Sequence, residues 1–426
     1  MKLSLTSLVS VLTAVLQLTE AAPVPQLSEH STQLYKRGWD YEAETIKGVN
    51  LGGWFVLEPF ITPSLFEAFG FDESQIPVDE YHYTQRLGKE LAQSRLEQHW
   101  ASWYSEDDFA SIAGTGLNMV RIPIGYWAFR LLDNDPYVQG QTKYLDQALE
   151  WCRKYNLKVW IDIHGAPGSQ NGFDNSGLRD HYDFQKDSNI AVLYEVLGDF
   201  FGKYAQPQYD DVIIGLEVLN EPLGSVLDMA KLNDFWAKGY EILRETSLSQ
   251  NYVIHDAFTA AHYFDDKFLN NQGFYSVVVD HHHYQVFSTG ELQRSIDEHV
   301  SVACEWGSEA VSEYHWNLCG EWSAALTDCA KWLNGVGKGA RYDGTIAGAY
   351  IGSCEGSQDI TTWSEDKKDT YRRYIEAQLD AFEKRGGWIF WAWKTETALE
   401  WDFQKLFYHS IFPVPLTSRK FGNQCS

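Results

Sequence analysis

Short apolar, strand-like runs alternate with stretches of helical periodicity along most of this chain. That alternation restricts the fold more than any other feature, because successive β-α units build parallel sheets. Eight runs stand out: Ile46 to Trp54, Leu117 to Tyr126, Leu157 to His164, Val212 to Asn220, Tyr252 to Asp256, Tyr275 to His282, Trp316 to Glu321 and Gly387 to Trp393. Helical segments between them include Tyr144 to Tyr155, Ile190 to Tyr204, Leu232 to Thr246, Leu292 to Glu305 and Thr370 to Lys384. Eight such units close naturally into a barrel. An open, doubly wound sheet calls for a glycine-rich phosphate fingerprint after the first strand, and none is present. The predicted fold is α/β: a single (β/α)8 TIM barrel with long βα loops, chiefly Glu58 to Ser94 and Lys331 to Ser364.

The N-terminus reads as processing signals. Lys2 precedes an apolar run from Leu3 to Leu18 broken by Ser, Thr and Gln, and Ala21-Ala22 supply small residues for cleavage, so residues 1–22 are expected to be a signal peptide. The polar segment 23–37 ends in the dibasic pair Lys36-Arg37 and reads as a pro-segment, leaving 38–426 as the barrel domain. No later stretch reaches the roughly 20 apolar residues of a membrane span. The protein is expected to be secreted, extracellular or associated with the cell wall.

A net charge of −25 argues against nucleic acid and anionic membranes as partners, since both call for basic patches. The 17 Trp and 24 Tyr suit stacking on sugar rings, although many must be core. No linker or repeat divides the chain. Of six cysteines, Cys152 lies on the apolar face of a helix and Cys319 inside a strand, so both are expected to be buried free thiols. Cys304, Cys329, Cys354 and Cys425 remain for two bridges, as expected of an exported chain.

In β/α barrels the working residues stand at the carboxyl ends of the strands. Polar groups gather there: Arg121, His164, Asn220-Glu221, His282 with Tyr284, and Glu321. Pro222 cannot continue a central ladder, so the chain turns where Asn220 and Glu221 appear. Gly320 precedes Glu321 and leaves room for close approach. Two carboxyl groups at one barrel mouth suit glycoside hydrolysis, in which one protonates the leaving oxygen and the other attacks or stabilises the anomeric carbon. Their separation, about 5 Å for retention or roughly 6.5 to 9.5 Å for inversion, is open at this level. The run Asp280-His281-His282-His283-Tyr284 invites a metal, but alternation leaves only His281 and His283 on one face and no motif completes a site. No metal and no cofactor are expected.

With these residues in view, the chain resembles the fungal exo-β-1,3-glucanases of glycoside hydrolase family 5. The resemblance runs from about Gly38 to the C-terminus. It rests on Gly48-Val49-Asn50-Leu51-Gly52-Gly53-Trp54, Arg121-Ile122-Pro123-Ile124-Gly125, Asp162 to Gly172, Asn220-Glu221-Pro222 and Gly320-Glu321-Trp322. It implies a retaining enzyme that releases glucose from non-reducing ends of β-1,3-glucan in cell-wall metabolism, with Glu221 as acid then base and Glu321 as nucleophile. Arg121, beside Glu321, is expected to lower its pKa. The substrate-binding set it implies is Glu58, Arg121, His164, Phe173, Asp174, Asn175, Asn220, His282, Tyr284, Phe287 and Trp391. Within that set, Asn220 meets the sugar 2-hydroxyl, Tyr284 bonds the nucleophile, and Phe173 and Phe287 clamp the next glucose. Trp391 is preferred to Trp393 as the floor of the glucose site, though both share one strand parity. Phe60 stands where the family is expected to carry tyrosine. The implied bridges are Cys304 to Cys425 and Cys329 to Cys354. The partner is a β-glucan, the state monomeric, and the absence of an Asn-X-Ser/Thr sequon leaves no N-glycan expected. The competing readings are an endo-acting β-1,4-glucanase or mannanase on the same barrel, and a non-catalytic glucan-binding wall protein.

Overall fold

The computed structural model describes residues 39–346, 348 and 350–426. The expected signal peptide and pro-segment lie outside the described residues. All eight apolar runs form strands: β1 (Ile46–Asn50), β2 (Met119–Gly125), β3 (Lys158–Gly165), β4 (Ile213–Glu217), β5 (Asn251–His255), β6 (Val277–His283), β7 (Trp316–Trp322) and β8 (Gly387–Phe390). Each pairs in parallel with the next, and β1 closes on β8 through the register Ile46↔Gly387 to Val49↔Phe390. Three strands end three or more residues before their apolar runs do. Beyond Asn50, Glu217 and Phe390 the loops diverge, and isolated hydrogen bonds replace the ladder, such as Asn220 N to Ile163 O and Trp393 N to Asn50 O.

Six α-helices supply crossovers: α1 (Glu106–Gly114), α2 (Gln141–Lys154), α3 (Asp187–Tyr204), α4 (Met229–Thr246), α5 (Ile296–Ser312) and α6 (Glu365–Phe382). Helix α5 starts four residues later than the apolar pattern suggests. Ser295 caps it, its hydroxyl accepting from Glu298 N while the Glu298 carboxylate accepts from Ser295 N. The crossover from β5 to β6 departs from the repeating unit, with only a 3-10 turn at Asn270–Gln272. There Phe264, Phe268 and Phe274 pack on Trp236 and Tyr240 of α4 and cover the sheet in place of a helix.

The barrel interior is sealed at one end by one residue from each strand: Ile46, Met119, Trp160, Ile214, Val253, Val278, Leu318 and Ile389. Tyr41 packs with this layer. Trp160 fits because β4 carries Gly215, where a Cβ would lie 2.3 Å from the indole nitrogen. With that end filled by apolar side chains, the polar inward residues are displaced to the opposite, carboxyl end of the strands.

The long insertions are tied down. In the loop after β1, the buried Glu80 carboxylate accepts from Leu57 N and Trp127 Nε1. In the loop after β7, the buried Asp328 carboxylate accepts from Arg341 N and Tyr342 N. Disulfides join Cys329 to Cys354 in this loop and Cys304 on α5 to Cys425 near the C-terminus. Cys152 and Cys319 are buried thiols. Among the described residues no helix is long and apolar enough to cross a membrane.

Candidate active site

Above the sealed end, inward-facing positions carry charge. Arg121 on β2 is fully buried. Its Nε donates to Glu217 (2.8 Å) and lies 3.6 Å from Asp280; its Nη2 lies 3.1 Å from Asp162 and donates to Asn220 Oδ1 (2.8 Å). Its Nη1 donates to Glu321 (2.9 Å) and to Asn50 Oδ1 (3.0 Å). One guanidinium thus faces four carboxyl groups, and all of its donors are engaged. Burial pushes Glu217 well above the usual carboxylate range, against the pull of Arg121. Gly320 makes this packing possible: a Cβ there would sit 2.0 Å from Asp280 Oδ1.

Glu221 and Glu321 meet across His282. Glu221 lies four residues beyond β4, in a turn where its φ is +44°, a region costly for a residue with a Cβ. His282 Nδ1 is 2.8 Å from Glu221 Oε1 and 3.5 Å from Glu321 Oε2. A nitrogen between two carboxylates is a donor, and those two oxygens can be no more than about 6.3 Å apart. Tyr284 donates to Glu321 Oε2 (2.9 Å), and Asn175 Nδ2 donates to Glu221 Oε2 (2.8 Å).

Arg121 does favour ionised Glu321, but burial is the larger influence, and with the Glu221 charge it holds Glu321 above the usual carboxylate range. Burial also opposes ionisation of Glu221, yet the hydrogen bond and charge of His282 bring it down to about 2. Burial works against a charged His282 as well; the Glu321 and Asp280 carboxylates overcome it and raise His282 well above the usual imidazole range. A protonated His282 thus holds its Nδ1 proton within reach of both glutamates.

Several buried polar atoms of the expected set have no hydrogen-bond partner among the described residues: Asn220 Nδ2, His164 Nε2, Glu58 Oε1 and Asp174 Oδ2. Donors and acceptors left in this state suit a polyhydroxylated ligand. His164 is oriented by Asp162 (2.6 Å) and stacked on Trp391, with ring centroids 5.4 Å apart and planes 5° from parallel. Trp393 turns away, its Nε1 donating to Asp108 and its ring stacked on Phe403. Asp174 is pushed up to about 7, chiefly by burial. Phe173 and Phe287 are 40% and 43% exposed, unusual for such rings. Phe60 is buried and packs edge-on against Trp401, which also meets Tyr284 and Phe287.

Sequence reasoning missed Trp401, the gathering of Asp162, Glu217 and Asp280 around Arg121, and His255 at the end of β5. His255 and Asp280 obey the same strand-end and parity rule that singled out His164 and His282, so a signal existed. Trp401 lies past β8 in a 3-10 turn and carried none. His281 and His283 face away from this site, His281 lying between Asp256 (2.7 Å) and Glu313 (2.9 Å). A different trio, Glu221, His255 and His282, has ligand atoms within 4.8 Å of one another. It does not suit a metal ion. His282 Nδ1 is occupied as a donor, and His255 Nδ1 accepts from Ala257 N (3.0 Å), which leaves the ring proton on Nε2.

Residues 84–332 match the family model Cellulase (glycosyl hydrolase family 5). The chain is 66% identical over 423 residues to glucan 1,3-beta-glucosidase 2 of Wickerhamomyces anomalus, covering 97% of this chain and 98% of that protein. It is 56% identical over 425 residues to glucan 1,3-beta-glucosidase I/II of Saccharomyces cerevisiae, covering 95% of each. Among solved structures, rutinosidase from Aspergillus niger superposes with a TM-score of 0.69 at 17% identity, over 88% of this chain and 99% of that one, a likeness of fold.

Proposed function

Since the chain belongs to glycosyl hydrolase family 5, we propose that it is a retaining exo-β-1,3-glucanase, with Glu321 as nucleophile and Glu221 as acid and then base. The observation that carries the reading is the His282 nitrogen shared by the two glutamates. The limit of about 6.3 Å it sets falls below the roughly 6.5 to 9.5 Å that admits an inverting water. Glu321, held by Arg121 and Tyr284, attacks the anomeric carbon. Glu221 delivers to the leaving oxygen the proton that rests beside it on His282. A water then releases the glucose, giving its proton to Glu221. Asn220 Nδ2 supplies a donor for the 2-hydroxyl, a contact that strengthens toward the transition state.

β-1,3-Glucan as substrate comes from the printed activity of the relatives. Exo action is supported by the way the two long insertions lock together. Lys331 bonds Glu67 (2.6 Å), Trp332 Nε1 donates to Glu73 (2.7 Å), and Arg179 after β3 reaches Val336 O (3.3 Å). Interlocked loops after β1, β3 and β7 wall off one side of the mouth, as a pocket for chain ends requires. We also read residues 38–426 as the mature, secreted and monomeric unit, acting on cell-wall glucan. Laminarin digestion followed by product chromatography is the test. Glucose is expected as the first product, and longer oligosaccharides appearing first would indicate endo action.

The pH dependence has a defined sign. Glu321 must be ionised to attack and its pKa is raised, so kcat/KM falls as pH drops through that raised value. On the alkaline side the rate falls as the proton shared by His282 and Glu221 is lost, giving a bell. A profile measured on laminarin with no acid limb above the ordinary carboxylate range contradicts this assignment.

A further inference from the structure

His255 is the last residue of β5 and is fully buried. Ala257 and Phe258 both stand at φ +55°, a left-handed pair that residues with a Cβ rarely adopt. That curl brings the Ala257 N–H onto His255 Nδ1 (3.0 Å) and lays Phe258 edge-on against the imidazole, centroids 5.0 Å apart. The His282 ring closes the other side at 4.4 Å. Because an N–H donates into Nδ1, the neutral ring carries its proton on Nε2, which is buried and has no partner among the described residues. A ring nitrogen of His255, a Glu221 oxygen and a His282 nitrogen lie within 4.8 Å of one another. With Nδ1 taken by Ala257, the buried and unpartnered Nε2 is the ring nitrogen left to serve a water there.

Resting on the retaining reading above, we propose that His255 is a water-positioning residue for the second half-reaction, its Nε2–H donating to the water that Glu221 deprotonates. In that step the water oxygen bonds to the anomeric carbon, and the bond from that carbon to Glu321 breaks with its electron pair returning to the carboxylate. The water's proton passes to Glu221. The donor is supplied in one fixed tautomer, so no proton has to be rearranged before attack. Burial and the neighbouring His282 charge lower His255 to about 4, which keeps the ring neutral at working pH.

The test uses 2,4-dinitrophenyl β-glucoside, whose good leaving group makes the second step limiting. His255→Phe keeps an aromatic ring and removes the donor. We expect kcat to fall about tenfold, the weight of one hydrogen bond to a reacting group. KM should fall by a similar factor, kcat/KM should stay within about twofold, and a stoichiometric dinitrophenolate burst should appear. His255→Gln restores a donor and should recover most of kcat. Where His255→Phe melts too low to assay, His255→Met carries the same expectation. The inference is overturned if kcat and kcat/KM fall together, if the burst does not grow, or if the donor-free variants turn over like wild type. Failure of the underlying reading is separable, because wild type itself would then form no trappable glycosyl-enzyme.

Discussion

Glu321→Gln is expected to lower kcat on laminarin by about 10⁴ to 10⁶-fold, the scale on which removal of a nucleophile acts. The reason is local. Glutamine keeps an oxygen to accept from Arg121 Nη1 and places an amide beside the Tyr284 hydroxyl, so both present contacts retain a partner. It cannot form the ester to the anomeric carbon. The melting temperature should therefore change little, and laminarin binding measured calorimetrically should persist while turnover disappears. Near-normal turnover in this variant would remove Glu321 as the attacking group.

Arg121→Met is expected to damage folding rather than one step. It leaves Asp162, Glu217, Asp280 and Glu321 buried around an uncharged side chain. Breaking a buried ion pair by deleting one partner costs about 3 to 5 kcal/mol, and here one deletion exposes a cluster to that penalty. The pH dependence follows from the same physics. Without their counter-charge these carboxyl groups acquire folded-state pKa values above their unfolded ones, so they do least harm below the unfolded values. Stability is then lost as pH rises through the folded ones. Urea unfolding should show the variant closest to wild type near pH 4 and progressively weaker toward pH 8. Equal stability of the two proteins at pH 8 would contradict the role given to Arg121.

Much of the barrel was legible because parallel strands covered on both faces read as apolar runs, and all eight such runs became strands. Strand ends were less so: β4 stops at Glu217, and Glu221 reaches the mouth through a strained turn rather than from the ladder itself. The missing helix after β5 had no cue, since an aromatic cluster from residues 264–274 can cover a sheet as a helix does. The start of α5 had one, the pairing of Ser295 with Glu298, which an apolar periodicity overrides when read alone. In the site, strand parity separates His282 from His281 and His283, but it does not separate Trp391 from Trp393. The chain leaves β8 at Phe390, before both, and Asp108 draws Trp393 away. Nor does sequence reveal that burial outweighs Arg121 at Glu321, because that balance depends on how many carboxyl groups the fold gathers on one guanidinium.

The most direct measurement of the central claim is to inactivate the enzyme with a 2-fluoro-2-deoxy-glucosyl donor and locate the adduct by peptide mass spectrometry. One sugar per chain on Glu321, with Glu221 unlabelled, is the predicted result. A label on Glu221 or any other residue, or turnover with no covalent adduct, would contradict it.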